Sequence, residues 1–271
     1  FRAMPIALAA IFLTIIYAAR TLSFRLLLKG YGPPPGWRGV AVVAWVPQLA
    51  KYVPGQVVSV LGAVGLLRKY GVPAAIGLSV VLVMDGLAVL TGLVSGSPLL
   101  LWAPVKEHLP HGWILCLLVI IAGGIALSPR VLGRLINFAL AKARKAPLQS
   151  MPPVRNYIGP VLLGFAQWML AGLALWCTAW AITDVSFHSI FLFIAIASLG
   201  YTAGYVSPLP GGVGVRDLIF QTTLTFVIGP AAALTVVTVR VIQTIVELVM
   251  AGAGIWIYRR TPDAAEERVP H

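Results

Sequence analysis

SPLPGGVGVRD, residues 207–217, lies between apolar runs that otherwise read as membrane-embedded helix. It holds two prolines, three glycines, an arginine and an aspartate. Pro208 and Pro210 lack a donor N–H, and Gly211 and Gly212 permit tight turns, so the stretch cannot be continuous helix. Inside a bilayer, broken backbone is tolerated only where it is buried in protein or lines a polar cavity. The break therefore marks a site.

The surrounding composition is that of a polytopic membrane protein. The 271 residues are 59% hydrophobic and 10% charged, with a mean hydropathy of +0.92, whereas a soluble domain carries about 25% charged residues. The formal charge of +12 comes from 20 Lys and Arg against 8 Asp and Glu. These basic residues cluster between apolar runs, so they orient the chain in the membrane, and anionic lipid headgroups rather than nucleic acid are the partners expected. Cys116 and Cys177 sit in apolar runs without metal-ligand spacing and read as small buried residues. No metal or other cofactor is expected. The chain opens at Phe1 and is apolar from Pro5, which reads as a fragment with further chain upstream; residues 5–28 are too long for a signal-peptide core.

In chain order, residues 5–28 make a first crossing, with Arg20 and Arg25 snorkelling to the cytoplasmic interface. Two apolar runs, 39–50 and 56–67, are each about 12 residues long, and a crossing needs about 20. They flank KYVPGQ, 51–56, and read as a re-entrant hairpin that returns to the cytoplasm at Arg68 and Lys69. A crossing over 73–94, an outside loop over 95–111 and a return crossing over 112–128 follow. The connector 129–156 holds Arg130, Arg134, Lys142, Arg144, Lys145 and Arg155 without one acidic residue. Its apolar positions predict an amphipathic helix on the anionic inner leaflet. Residues 157–183 cross outward, Asp184 and His188 mark an outside turn, and 187–228 reads as a second hairpin, entering from outside. The last crossing, 230–258, ends at Arg259 and Arg260.

The expected fold is all-α: a polytopic integral membrane protein with two re-entrant helical hairpins in an inverted repeat. Repeat one covers about 1–94, 112–128 is a linking helix, 129–156 a cytoplasmic basic connector, repeat two about 157–258, and 261–271 a cytoplasmic tail. Broken helices at corresponding places in two opposed halves point to a transporter's site. Two unrelated loops that both hold Pro-Gly would give the same pattern.

In each hairpin the second limb starts just after the break, where unpaired N–H groups and the helix dipole favour anions. The candidate substrate-binding residues are Lys51, Tyr52, Pro54, Gly55 and Gln56 at the first break, and Pro210, Gly211, Gly212, Gly214, Arg216 and Asp217 at the second. Two such tips with Lys51 and Arg216 would hold a phosphate-sized anion; the alternative is that these cations neutralise buried carboxylates. Asp85, Asp217 and Glu247 are intramembrane carboxylates that need partners. Arg240, Gln243 and Glu247, spaced i, i+3 and i+7, share one helix face and with Asp85 make a candidate cavity lining. The four histidines lie in loops or the tail, no nucleophile or phosphate-loop signature stands out, and Trp102, Trp113, Trp176, Trp180 and Trp256 read as interfacial anchors.

LAKYVPGQVVSVLG (49–62), LLRKYGVP (66–73) and SPLPGGVGVRD (207–217) together resemble the transmembrane domain of the lysylphosphatidylglycerol synthase family, including its stand-alone UPF0104-type relatives. The family pattern has glutamate where this chain has Asp217 and a basic residue where it has Gln56. The resemblance implies a multi-helix domain that, in bifunctional members, moves an aminoacylated phospholipid across the bilayer. Those members add a soluble C-terminal aminoacyl-transfer domain, and this sequence ends soon after Arg260, so lipid synthesis is not expected of it. Relatives also accompany glycosylation systems that use polyprenyl-phosphate lipids. The expected function is a lipid flippase of the cell membrane, not an enzyme, with a phospholipid or polyprenyl-phosphate lipid as partner and a cytoplasmic C-terminus. The other expectation is a non-transporting subunit that anchors a soluble transferase. A homo-oligomer is also open.

Overall fold

Apolar runs free of helix breakers become long helices, and the prolines and glycines between them set the ends. The computed structural model describes residues 2–52, 57–142, 144, 146–148, 151–207, 209, 212 and 214–260. All regular structure among them is helical, with no strand. The order is α1 (Ala3–Leu28), α2 (Trp37–Trp45), a 3-10 turn (Val46–Tyr52), α3 (Val57–Lys69), α4 (Ala74–Gly96), a 3-10 turn (Ser97–Leu101), α5 (Ala103–His108), α6 (Gly112–Ala126), α7 (Pro129–Lys142), α8 (Val154–Ile182), a 3-10 turn (Phe187–Ser189), α9 (Ile190–Val206), α10 (Val215–Ile228) and α11 (Ala231–Arg260). Five segments among the described residues are long and apolar enough to cross a membrane: α1, α4 with its following turn, α8, α9 with its preceding turn, and α11. Many large apolar side chains on these helices are exposed, such as Leu162, Met169, Val237 and Leu248. Apolar surface on that scale belongs against lipid. The protein is a multi-pass membrane protein.

Two expectations are corrected. Residues 112–128 do not form one full crossing: α6 has 15 residues, or about 22 Å against a hydrocarbon core of about 30 Å. It reaches a sixth crossing only if paired with α7, from which it is bent by 90°. Ser128 and Pro129 cause the bend, since the Ser128 hydroxyl accepts from Val131 N at 3.4 Å and Pro129 sits at the first helical position. The loop expected at 95–111 is two short helical turns rather than irregular chain. After the second break α10 starts at Val215, so Arg216 and Asp217 lie in the first turn of a helix.

Two units share the chain. The first comprises Phe1–Ile16, Ala88–Ile125 and Gly164–Val246. Its core joins Leu175, Phe193, Ile196, Phe220, Leu224 and Val239. Here α9 and α10 pack closely because α9 is flat where they meet: a Cβ on Gly200 would overlap the Phe220 ring, and one on Gly204 would lie 3.0 Å from Arg216 Cβ. On the same unit's surface, Arg2 pairs with Asp184 at 2.6 Å.

The second unit comprises Tyr17–Leu87, Ala126–Leu163 and Glu247–His271. Pro47, which has no N–H to donate, follows the end of α2. Trp45 Nε1 donates to Thr21 Oγ1 at 2.9 Å and ties α2 to α1. A Cβ on Gly39 would lie 3.1 Å from the Tyr70 ring, so the start of α2 adjoins the end of α3. Lys69 at that end donates to the Tyr258 hydroxyl, near the basic terminus of α11. Arg25 stacks over Trp37 at 4.3 Å and donates to Pro35 O at 2.8 Å, closing the α1–α2 turn.

Candidate functional site

The polar centre of the first unit is built where α9 ends and α10 begins. Ser207 leaves the helix in extended backbone and its hydroxyl accepts from Leu209 N at 3.2 Å. Gly212 N donates to Leu209 O at 3.1 Å, and Gly212 and Gly214 take φ of +65° and +86°. Those left-handed conformations suit glycine and disfavour any residue with a Cβ. Gly214 then precedes α10, and the Asp217 carboxylate reaches back to accept from Gly214 N at 3.3 Å. An acidic residue at the third helical position serves this role in a capping box.

Asp217 has a second partner. Arg240 of α11 places one guanidinium nitrogen 2.7 Å from each carboxylate oxygen. Arg216, the preceding residue, is only 7% exposed. Its Nε lies 3.6 Å from Asp217 Oδ1, its NH1 donates to Gln243 Oε1 at 3.0 Å, and its guanidinium lies 4.9 Å from the centre of the Tyr201 ring. The Tyr201 hydroxyl donates to the same Gln243 oxygen at 3.1 Å. Among the described side chains of this unit, two guanidinium groups thus meet one carboxylate at the positive end of a 14-residue helix. Burial of Arg216 makes that imbalance felt, because a charge away from water is screened little. The Asp217–Arg240 pair is more open, with side chains 28% and 25% exposed. Such an arrangement favours an anion and disfavours a cation.

Gly212, Gly214, Arg216, Asp217, Arg240 and Gln243 are therefore brought together as one cluster, and the i, i+3 spacing on α11 is what delivers Arg240 and Gln243 to it. Pro210 and Gly211 lie outside the described residues. Tyr201 was not anticipated; the signal available was a tyrosine in an otherwise apolar and small-residue helix. Asp85 and Glu247 belong to the second unit, where Glu247 is 2% exposed and Asp85 half-buried. Both take part in polar or electrostatic contacts. The Lys51 and Tyr52 backbone ends the 3-10 turn of that unit. Their side chains, with Pro54, Gly55 and Gln56, lie outside the described residues.

No curated protein matches the chain. The family described as lysylphosphatidylglycerol synthase TM region matches residues 1–252. A match of that extent, over a multi-pass helical chain with a glycine-rich break capped by a buried ionic cluster, ties the protein to membrane lipids. The chain belongs to the lysylphosphatidylglycerol synthase transmembrane-region family.

Proposed function

We propose that the chain is a lipid translocase that binds the phosphate of a phospholipid or polyprenyl-phosphate lipid at the α9–α10 break while the acyl or prenyl chains stay in the bilayer. The observation that carries the reading is the buried Arg216 at the start of α10, in a cluster with more positive than negative charge. Backbone N–H groups at a helix start and an arginine fork are both suited to phosphate. In this reading the segments 39–67 and 187–228 are re-entrant hairpins of opposite orientation in an inverted repeat. Support comes from within each unit: Gly39 packs on Tyr70, which brings the ends of the first segment together, and Gly200 and Gly204 pack on Phe220 and Arg216 in the second. Lys51 acts at the first break as Arg216 does at the second, and no chemical step is assigned to the polypeptide.

The connector extends the reading to the membrane surface. On α7, Leu132 and Gly133 are buried while Arg130, Arg134 and Lys142 are exposed, as for a helix that lies on anionic headgroups. The test is a scrambling assay with labelled phosphatidylglycerol in proteoliposomes, using dithionite to bleach the outer leaflet. Arg216→Ala and Lys51→Ala should each slow transfer about tenfold or more, the loss expected of a charge-assisted phosphate contact of about 1.5–3 kcal/mol. Transfer at the unaltered rate in both variants would reject the translocase site.

A further inference from the structure

The partner chosen for Arg216 is unusual for a cation this buried. Its best hydrogen bond goes to Gln243 Oε1 at 3.0 Å, a neutral amide oxygen, while the nearby Asp217 is engaged at 2.7 Å by Arg240 and stands 3.6 Å from Arg216 Nε. A glutamate at 243 would have the same length and offer an acceptor to both Arg216 and Tyr201. It would also cancel the positive charge that the amide leaves standing. Buried charges are costly unless paired, so the surplus at this place has to be matched by something else.

We infer that Gln243, by being neutral, sets the charge of this site. Its neutral amide accepts from Arg216 beside the Tyr201 ring without cancelling the guanidinium charge, and so makes the site select a singly charged phosphodiester headgroup over a diphosphate. The groups that decide the balance are Arg216 and Asp217 on α10, Tyr201 on α9, and Arg240 on α11. One phosphodiester charge balances two arginines and one aspartate. A diphosphate would bring at least one further negative charge into a largely buried site with no cation of this cluster to meet it. The inference rests on the reading of Arg216 as the anion contact and assigns the adjoining amide a role in selectivity.

The experiment measures binding of dioctanoyl-phosphatidylglycerol and of dioctanoylglycerol pyrophosphate, which has the same tails, to the full chain in detergent. Unaltered protein should bind the phosphodiester about fivefold or more tightly than the diphosphate. Gln243→Glu should weaken phosphatidylglycerol binding about tenfold, and Gln243→Met, neutral but without the acceptor, should stay within about threefold. A merely structural amide predicts the reverse order, since glutamate keeps the hydrogen bonds and methionine loses them. That reversed order, or tighter binding of the diphosphate by the unaltered protein, would overturn the inference, while weak binding by Arg216→Gln would leave the translocase site standing. Unchanged binding by Arg216→Gln would remove that site and the inference with it.

Discussion

Gly212 is required twice over, by a φ of +65° and by the 2.8 Å that a Cβ there would leave to Gly204 Cα. Gly214 is required once: its φ is +86°, but the nearest atom to an added Cβ is Leu209 Cδ1 at 3.8 Å. Alanine at 214 should therefore cost about 1–2 kcal/mol of backbone strain. Alanine at 212 should add about 1–3 kcal/mol for the clash between two backbones. Thermal unfolding in detergent should rank the variants in that order, and equal midpoints would mean that the α9–α10 contact yields easily. Asp217→Asn tests the neighbouring ion pair. It keeps an acceptor for Gly214 N but leaves Arg240 and Arg216 without a carboxylate, at a cost of about 1–3 kcal/mol. An unfolding midpoint no lower than that of the unaltered protein would show that Arg240 finds another counter-charge. At this scale the sequence carried a good deal: the glycines, Arg216 and Asp217 announce themselves by being polar or flexible inside an apolar run. Tyr201 did not, because an aromatic ring in a membrane helix is as easily a packing residue, and only the fold brings it under the guanidinium at 4.9 Å.

Among elements, α10 shows where reading by hydropathy stops short. Arg216 and Asp217 look like the end of a loop, yet Asp217 three places after Gly214 is a helix-start signal, and its carboxylate does reach the Gly214 N–H. The same holds for Ser128-Pro129, whose capping chemistry shortens the crossing expected at 112–128 and turns the chain by 90°. Helix α7 itself was legible from its spacing of apolar and basic residues, since periodicity survives any detail of the ends. If α7 lies on the headgroups, its exposed face must meet lipid rather than water. Phe138 is 72% exposed, and Arg134 is exposed as well. A spin label at Phe138→Cys, or one turn earlier on the same face at Arg134→Cys, should relax more with oxygen, which dissolves in lipid, than with a water-soluble nickel complex. The label at 138 should report burial by about 5–10 Å below the headgroup boundary. Greater relaxation by the nickel complex than by oxygen at both positions would place that face in water and remove the surface-binding role.

At the scale of the molecule, the translocase reading needs two broken segments that enter from opposite faces, and local features in each unit favour specific sides. Lys69 meets Tyr258 beside the Arg259–Arg260 terminus of α11, an end that the translocase reading places in the cytoplasm. Arg2 meets Asp184 in the turn between α8 and α9, a stretch with few basic residues. Hydropathy alone does not separate the two cases, because a 14-residue limb and a short crossing have the same composition. Single cysteines reveal the side directly, and the background is low because Cys116 and Cys177 are both buried. Gly36→Cys and Ala74→Cys bracket the first broken segment, and His188→Cys and Pro230→Cys bracket the second; all four positions are exposed. With a membrane-impermeant maleimide on intact cells, positions 188 and 230 should both label, and positions 36 and 74 should label only after permeabilisation. Each pair must agree within itself, because a segment that enters and leaves on one face puts both its ends there. Labelling of 188 without 230, or of 36 without 74, would mean that the segment between them runs from face to face. An inverted repeat of two re-entrant hairpins could not survive that result, since each hairpin has to enter and leave on one face.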